Sequence, residues 1–357
     1  MMIEFNPDRL IVARQRRSIT AKALAEATGI SAVHISRIEK GKAENLEEST
    51  VNSLAKALKF PVDFFYRDKP RVPLKEEVSF RSLSKMSAKE RNAATAASAF
   101  AFEINDWVSE RFSLPKVDLP DLSDQTSPAI AASLLRDFWG LGEMPLGNII
   151  KLLESKGIRV FSLSENTRNV DAYSCWEDHV PYIFLNTYKT AERSRFDALH
   201  ELGHLVMHSN GVPQGRQAEN EANEFASYFL VPQADLIGTI QKVTSLNQLI
   251  KAKKRWGVST AALAYRLHKV GFISDWQYKT FCIDLRKLYG QTEPEGLERE
   301  KSVLWDKVFK ALWTNGQPRS CISKALSLPE HEIDTLLFGL IGGEVVSGKG
   351  KPKLSLA

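Results

Sequence analysis

The sequence predicts a mainly α protein with a small β-sheet: an all-α N-terminal domain, a central α+β domain and a small helical C-terminal module. Three observations predict it. Capped helical periodicity fills the first 68 residues. A period near two appears only between about residues 158 and 186. Polar stretches containing Pro or Gly separate the blocks. At 357 residues the chain is too long for one core, since domains run ~100–200 residues. The boundaries read as 1–68, a linker at 69–86, 87–290 and 291–357.

Composition narrows the classes. Apolar residues at 43% and charged ones at 25% are ordinary for a globular chain and exclude wholesale disorder. No apolar run approaches the ~18–20 residues of a membrane span. The start, MMIEFNPDRLIVARQRR, lacks the apolar stretch of a signal peptide. Cys175, Cys282 and Cys321 are odd in number and far apart, which argues against a disulfide framework or a CxxC metal pair. The expected location is the cytoplasm. The net charge of +5 lies wholly in residues 1–75, which hold 14 Lys or Arg against 9 Asp or Glu. A basic excess at one end fits a nucleic-acid-binding module on a neutral body, or a merely solvated basic surface.

Residues 7–17 set Leu10, Ile11 and Arg14 on neighbouring helix faces. Thr20 caps a second helix carrying Ala23, Leu24 and Ala27. Gly29 supplies a sharp turn, and Ser31 caps a third helix whose inward residues are Ile35 and Ile38. Gly41 ends it. Ser49 or Thr50 opens a fourth, with Val51, Leu54, Ala55 and Leu58 as its apolar stripe. Helix, short Gly turn, helix is the spacing of a helix-turn-helix.

The run TAKALAEATGISAVHISRIEKGK (20–42), with TVNSLAKALKFPVDFF (50–65), resembles the phage-repressor or Xre type of helix-turn-helix. The resemblance implies a homodimer on a pseudo-palindromic operator in double-stranded DNA, with the third helix in the major groove. Position by position, it implies Ala32, Val33 and Arg37 at base edges. Ser31, His34, Lys40 and Lys42 fall near phosphates or the groove edge, and Arg14 and Glu39 form an ion pair. This chain has Ala21 and Ala32 where the family often has glutamine. Readout then leans on methyl contacts from Ala32 and Val33 and on Arg37 to guanine.

Pro70 and Pro73 open the linker. Residues 87–112 read as a long helix whose face of Ala93, Ala97, Phe100 and Ala101 suits packing, including packing between subunits. Helices at 129–138 and 146–156 follow. Strands are expected at 158–163, 169–176 and 181–186, with Glu177-Asp178 in a hairpin turn. The last strand could take an extended peptide by strand addition, or be internal and already paired.

Residues 191–208, AERSRFDALHELGHLVMH, form a helix bearing HELGH. Histidines at i and i+4 lie ~40° apart, so His200 and His204 project from one face and can share one ion. Glu201 adjoins the first of them, where its carboxylate can take a proton from water; this is the H-E-x-x-H arrangement. A catalytic zinc site needs a third protein ligand. In the next helix, 217–232, the candidates are Glu219, Glu221 and Glu224. Glu219, Ala222, Asn223 and Ala226 share a face, which favours Glu219 as ligand with Asn223 hydrogen-bonding a ligand histidine. Glu221 points ~160° away and is the fallback.

The stretch PYIFLNTYKTAERSRFDALHELGHLVMH with AENEANEFASYFLVP resembles the ImmA/IrrE metallopeptidase family, over about residues 87–285 with its core at 190–232. The resemblance implies a zincin-like α+β fold, Zn2+ on His200, His204 and Glu219, and Glu201 as general base. It also implies a repressor or antitoxin-like protein substrate, cut to derepress mobile-element or stress-response genes. His208, Tyr228, Tyr173 and Tyr182 are candidates for stabilising the oxyanion. The competing reading is a repressor whose metal domain senses a signal or partner without proteolysis.

Residues 246–256 and 260–270 read as two more helices, and 291–300 as a polar linker. Helices at 303–313, 319–326 and 330–339 follow, with a frayed tail from Val345. They suggest an oligomerisation or regulatory module.

Overall fold

Asn6 opens α1 (Pro7–Arg16), its side chain accepting from the Asp8 amide, and Pro7 sits where a helix needs no donor. The Thr20 hydroxyl starts α2 (Ala21–Thr28), which stops at Gly29 with φ +74°, a left-handed conformation that favours glycine. Ser31 caps α3 (Ala32–Glu39) as expected. Helix α4 (Glu48–Leu58) begins slightly earlier than Ser49, without a side-chain cap. Leu10, Leu24, Ile35, Ile38, Val51, Leu54 and Leu58 close a common core. The expected Arg14–Glu39 ion pair is present at 2.6 Å.

The computed structural model describes residues 4–43, 45–73, 79–80, 87–163, 172–208 and 215–341. The tail expected from Val345, most of the expected linker's second half and the first residues of the expected strand 169–176 lie outside the described residues.

The linker region supplies β1 (Ser79–Phe80). A capping box of Ser87 and Glu90 then starts α5 (Ala88–Ser109). Next come α6 (Pro128–Phe138) and α7 (Ile149–Ser155). Strands β2 (Arg159–Ser162), β3 (Ala172–Glu177) and β4 (Val180–Leu185) complete a sheet of order β1-β3-β4-β2. The β3–β4 hairpin turns at Asp178 and His179, both with positive φ, one residue later than expected, because Glu177 still pairs with Val180. Strand β4 pairs antiparallel with β3 and parallel with β2. Both its edges are occupied, so peptide addition to this strand is excluded.

Alternation along the strands gives the sheet two apolar faces. Phe161, Tyr173, Cys175, Tyr182 and Phe184 join one core with α5, the N-terminal helices and the C-terminal helices. Val160, Ala172, Ile183 and Leu185 join a second core. That second core is built with α8 (Ala191–Met207), α9 (Arg216–Leu230), α10 (Gln233–Thr239), α11 (Leu246–Ala252), α12 (Thr260–Lys269) and α13 (Asp275–Tyr289).

The Ala/Phe face of α5 is covered within the chain. Phe100 packs on Phe60 and Phe64, and Phe102 on Tyr182. It is therefore a seam between the N-terminal helices and the sheet, and a subunit contact has no room there.

Helices α14 (Leu304–Thr314), α15 (Ser320–Leu326) and α16 (Glu330–Leu337) close the first core. Trp305 donates from its indole to the Val160 carbonyl at 2.9 Å, fixing α14 to β2. Glu332 of α16, with no side-chain exposure, pairs with Arg16 at 2.6 Å and with Arg17. Burial pushes its carboxyl up, but Arg16, His331 and Arg17 outweigh burial and hold it at about 2. Arg9 pairs with Glu103 of α5 at 2.7 Å.

Candidate metal centre and DNA interface

Helices α8 and α9 approach closely because small residues line their contact. Gly203 faces Ala222 and Phe225; a Cβ placed there would sit 3.0 Å from Phe225 Cδ1 and 3.4 Å from Ala222 Cα. Thr190 caps α8 by accepting from the Arg193 amide. His200 and Glu201 have no exposed surface, and His204 keeps 8% of its own.

The two histidines bring their Nε2 atoms to 3.1 Å. Across the groove, Glu219 Oε2 lies 3.5 Å from His200 Nε2, and Oε1 lies 3.4 Å from His204 Nε2. All three ligand atoms fall within 4.8 Å of one another. Tetrahedral zinc with bonds of ~2.0–2.1 Å needs donors ~3.3 Å apart. Two imidazoles and a carboxylate at these separations fit that ion in number, chemistry and spacing. Burial alone would raise the Glu219 carboxyl, yet the two histidines hold it down at about 2, ready to ligate.

Glu201 is fixed from the sheet. Ser174 on β3 donates to its Oε2 at 2.8 Å. No sequence signal marks Ser174, because only the strand register turns it towards α8.

His204 turns its other nitrogen towards the histidine that caps the C-terminus of α8, with Nδ1 2.9 Å from His208 Nδ1. His208 Nε2 in turn meets Glu221 Oε2 at 3.0 Å. Asn223 is half-buried on α9, and the hydrogen bond that its position offers to a ligand histidine is made, for His204, by His208. Burial and the neighbouring His204 push the His208 pKa down against the pull of Glu221 and Glu219.

The oxyanion candidates fare differently. Tyr173 and Tyr182 belong to the α5 face of the sheet, with the Tyr173 hydroxyl bonded to Ser98 and the Ala94 carbonyl. His208 has both ring nitrogens engaged. Tyr228 stacks under the Arg266 guanidinium, 3.6 Å from its ring centroid.

On α3 and its following turn, Ala32, Val33, Arg37, Lys40 and Lys42 are exposed and His34 is half-buried. Val33 keeps 73% of its surface. The Ser31 hydroxyl accepts from the His34 amide. Arg37 reaches the Lys42 carbonyl at 3.5 Å, which leaves most of its guanidinium donors outward.

Comparison with known proteins supplies the family level. Residues 153–268 match the IrrE N-terminal-like domain of the M78 peptidases, and residues 8–63 match a helix-turn-helix domain. The chain carries a helix-turn-helix domain and an M78 peptidase domain. The helix-turn-helix domain is similar to the HTH-type transcriptional repressor RghR of Bacillus subtilis (strain 168), at 41% identity over 56 residues. That segment is 16% of this chain and 42% of RghR, so the chain spans less than half of that relative. All three groups of the candidate metal centre, with Glu201, lie inside the M78 domain, and the α3 surface lies inside the helix-turn-helix domain. Among the described residues, no helix is long and apolar enough to cross a membrane.

Proposed function

We propose that the protein is a DNA-binding transcriptional regulator whose M78 domain is a zinc-dependent endopeptidase. The observation that carries it is a fully buried, sheet-anchored Glu201 beside three converging donors. A metal site that only held structure has no use for such a carboxylate.

His200, His204 and Glu219 would hold Zn2+. When bound, zinc supplies Lewis acidity, which lowers the pKa of water and polarises a carbonyl. Glu201, oriented by Ser174, takes the proton of the attacking water and passes it to the leaving amine. Ser31, Ala32, Val33, His34, Arg37, Lys40 and Lys42 face the operator, read by a homodimer on a pseudo-palindrome. The substrate is a repressor or antitoxin-like protein, or this protein itself. Its cleavage in the cytoplasm derepresses mobile-element or stress-response genes.

Substituting Glu201→Gln tests this reading. Retained zinc with lost derepression and lost cleavage supports proteolysis. Unchanged regulation overturns it and leaves a repressor whose metal domain senses without cutting.

A further inference from the structure

His208 extends the i, i+4 stripe of His200 and His204 by one turn. Its two nitrogens join His204 Nδ1 at 2.9 Å and Glu221 Oε2 at 3.0 Å. The second oxygen of Glu221 accepts from Gln217 Nε2 at 2.9 Å, so the carboxylate is held at both ends. The side chains of His208 and Glu221 keep 8% and 21% of their exposure.

Hydrogen accounting along this chain has one solution for a neutral His208. An ionised carboxylate only accepts, so His208 Nε2 carries a hydrogen. Its Nδ1 then has a lone pair, and the 2.9 Å contact is a hydrogen bond only if His204 Nδ1 carries the hydrogen. His204 is left with its lone pair on Nε2, the atom that faces His200 and Glu219. The opposite tautomer would aim an N–H at the ion.

We infer that Glu221, acting through His208, is a positioning residue that fixes His204 in the Nδ1–H tautomer and so presents its Nε2 as a metal donor. This rests on the proposed zinc site. Helix α9 thus serves the centre twice, with Glu219 facing the ion's place and Glu221 behind it, the second reaching through the residue that caps α8.

Two measurements on the full chain test it. The first is zinc affinity by competition with a chromophoric chelator, for the unsubstituted protein, Glu221→Ala and Glu221→Gln. Loss of an outer hydrogen-bonding partner weakens metal binding ~10–100-fold, and that is the expected effect of alanine. Glutamine keeps a carbonyl acceptor for His208 and should recover most of the loss. The second is 15N NMR of the imidazoles in metal-free unsubstituted protein, where His204 should be the Nδ1–H tautomer. Affinity within twofold in Glu221→Ala, or an Nε2–H His204 in the metal-free protein, overturns the inference. Failure of the unsubstituted protein to take zinc overturns the zinc site itself. The NMR result is read without metal or substitution, so it separates the two failures and stands even if Glu221→Ala does not fold.

Discussion

Ser174 donates a 2.8 Å hydrogen bond to Oε2 of Glu201, from the middle of β3 to the helix that carries both histidines. The sheet thus aims the proposed base, while α8 and α9 supply the ligands. A hydrogen bond to a charged group contributes ~1.5–3 kcal/mol. Ser174→Ala should lower the cleavage rate about tenfold or more with zinc stoichiometry unchanged. Loss of zinc in that variant would show that Ser174 supports the fold of the centre and not the base.

Zinc content by mass spectrometry should read one ion per chain. Glu219→Gln should lose it or hold it far more weakly, because a neutral amide oxygen is a poorer ligand than a carboxylate. Full retention would mean that another group completes the site.

Gly203 carries a prediction about geometry alone. A methyl group there meets Phe225 at 3.0 Å, so Gly203→Ala should move α9 by a few tenths of an ångström and weaken zinc several-fold. The bulkier Gly203→Val should abolish binding. Equal affinity in all three forms would mean that the α8–α9 spacing does not set the site.

The parts of the centre that one helix or one helical face defines were legible in the sequence. His200, Glu201 and His204 needed only the i, i+4 rule, and Glu219 needed only its shared face with Ala222 and Ala226. Rotation about α9 carries Glu221 away from Glu219, which makes it only the fallback ligand in a reading by helix faces. Helix α9 meets Gly203 of α8 at Ala222, and helical rotation sets the two glutamates on opposite flanks of that residue. A glutamate side chain is long enough to reach around from either flank. The third histidine at the same spacing was the available signal. Ser174 and Glu332 owe their roles to pairing across the sheet and across the chain, which local periodicity does not carry. Helix α13 has no clear signature in the sequence, because only Phe281 along it is buried and little apolar stripe results.

Glu332 should make stability pH-dependent in a defined window. Its carboxyl sits at about 2 against an ordinary value of 4.5. A depressed value means the stabilisation is complete above 4.5 and is lost as pH falls towards 2. Glu332→Gln should cost ~3 kcal/mol at pH 7, and the gap to the unsubstituted protein should narrow between about pH 5 and 2. A gap that does not change with pH, followed by denaturant melts, would show that the carboxylate's charge is not what holds the helices.

DNA binding should separate two kinds of contact on α3 and the turn after it. Arg37→Ala should cost ~1–3 kcal/mol and relax preference at one base pair. Lys42→Ala should weaken all sequences alike and reduce the salt slope by about one. Footprint titrations at several salt concentrations distinguish them. An identical response from both variants would place Arg37 on the phosphates.

Arg16 and Glu332 lie 316 positions apart, and their union has a consequence for synthesis. Ribosomes add ~5–20 residues per second, so Arg16 and Arg17 wait ~15–60 s for their counter-charge. The DNA-reading head can close its own small core early, but its berth is finished only when a late helix arrives. In a nascent or prematurely terminated chain both guanidinium groups lack that carboxylate, and Arg17 is held by the Leu58 carbonyl and the Phe60 ring. The order in which the chain emerges thus leaves the seating of the first helices to one of the last.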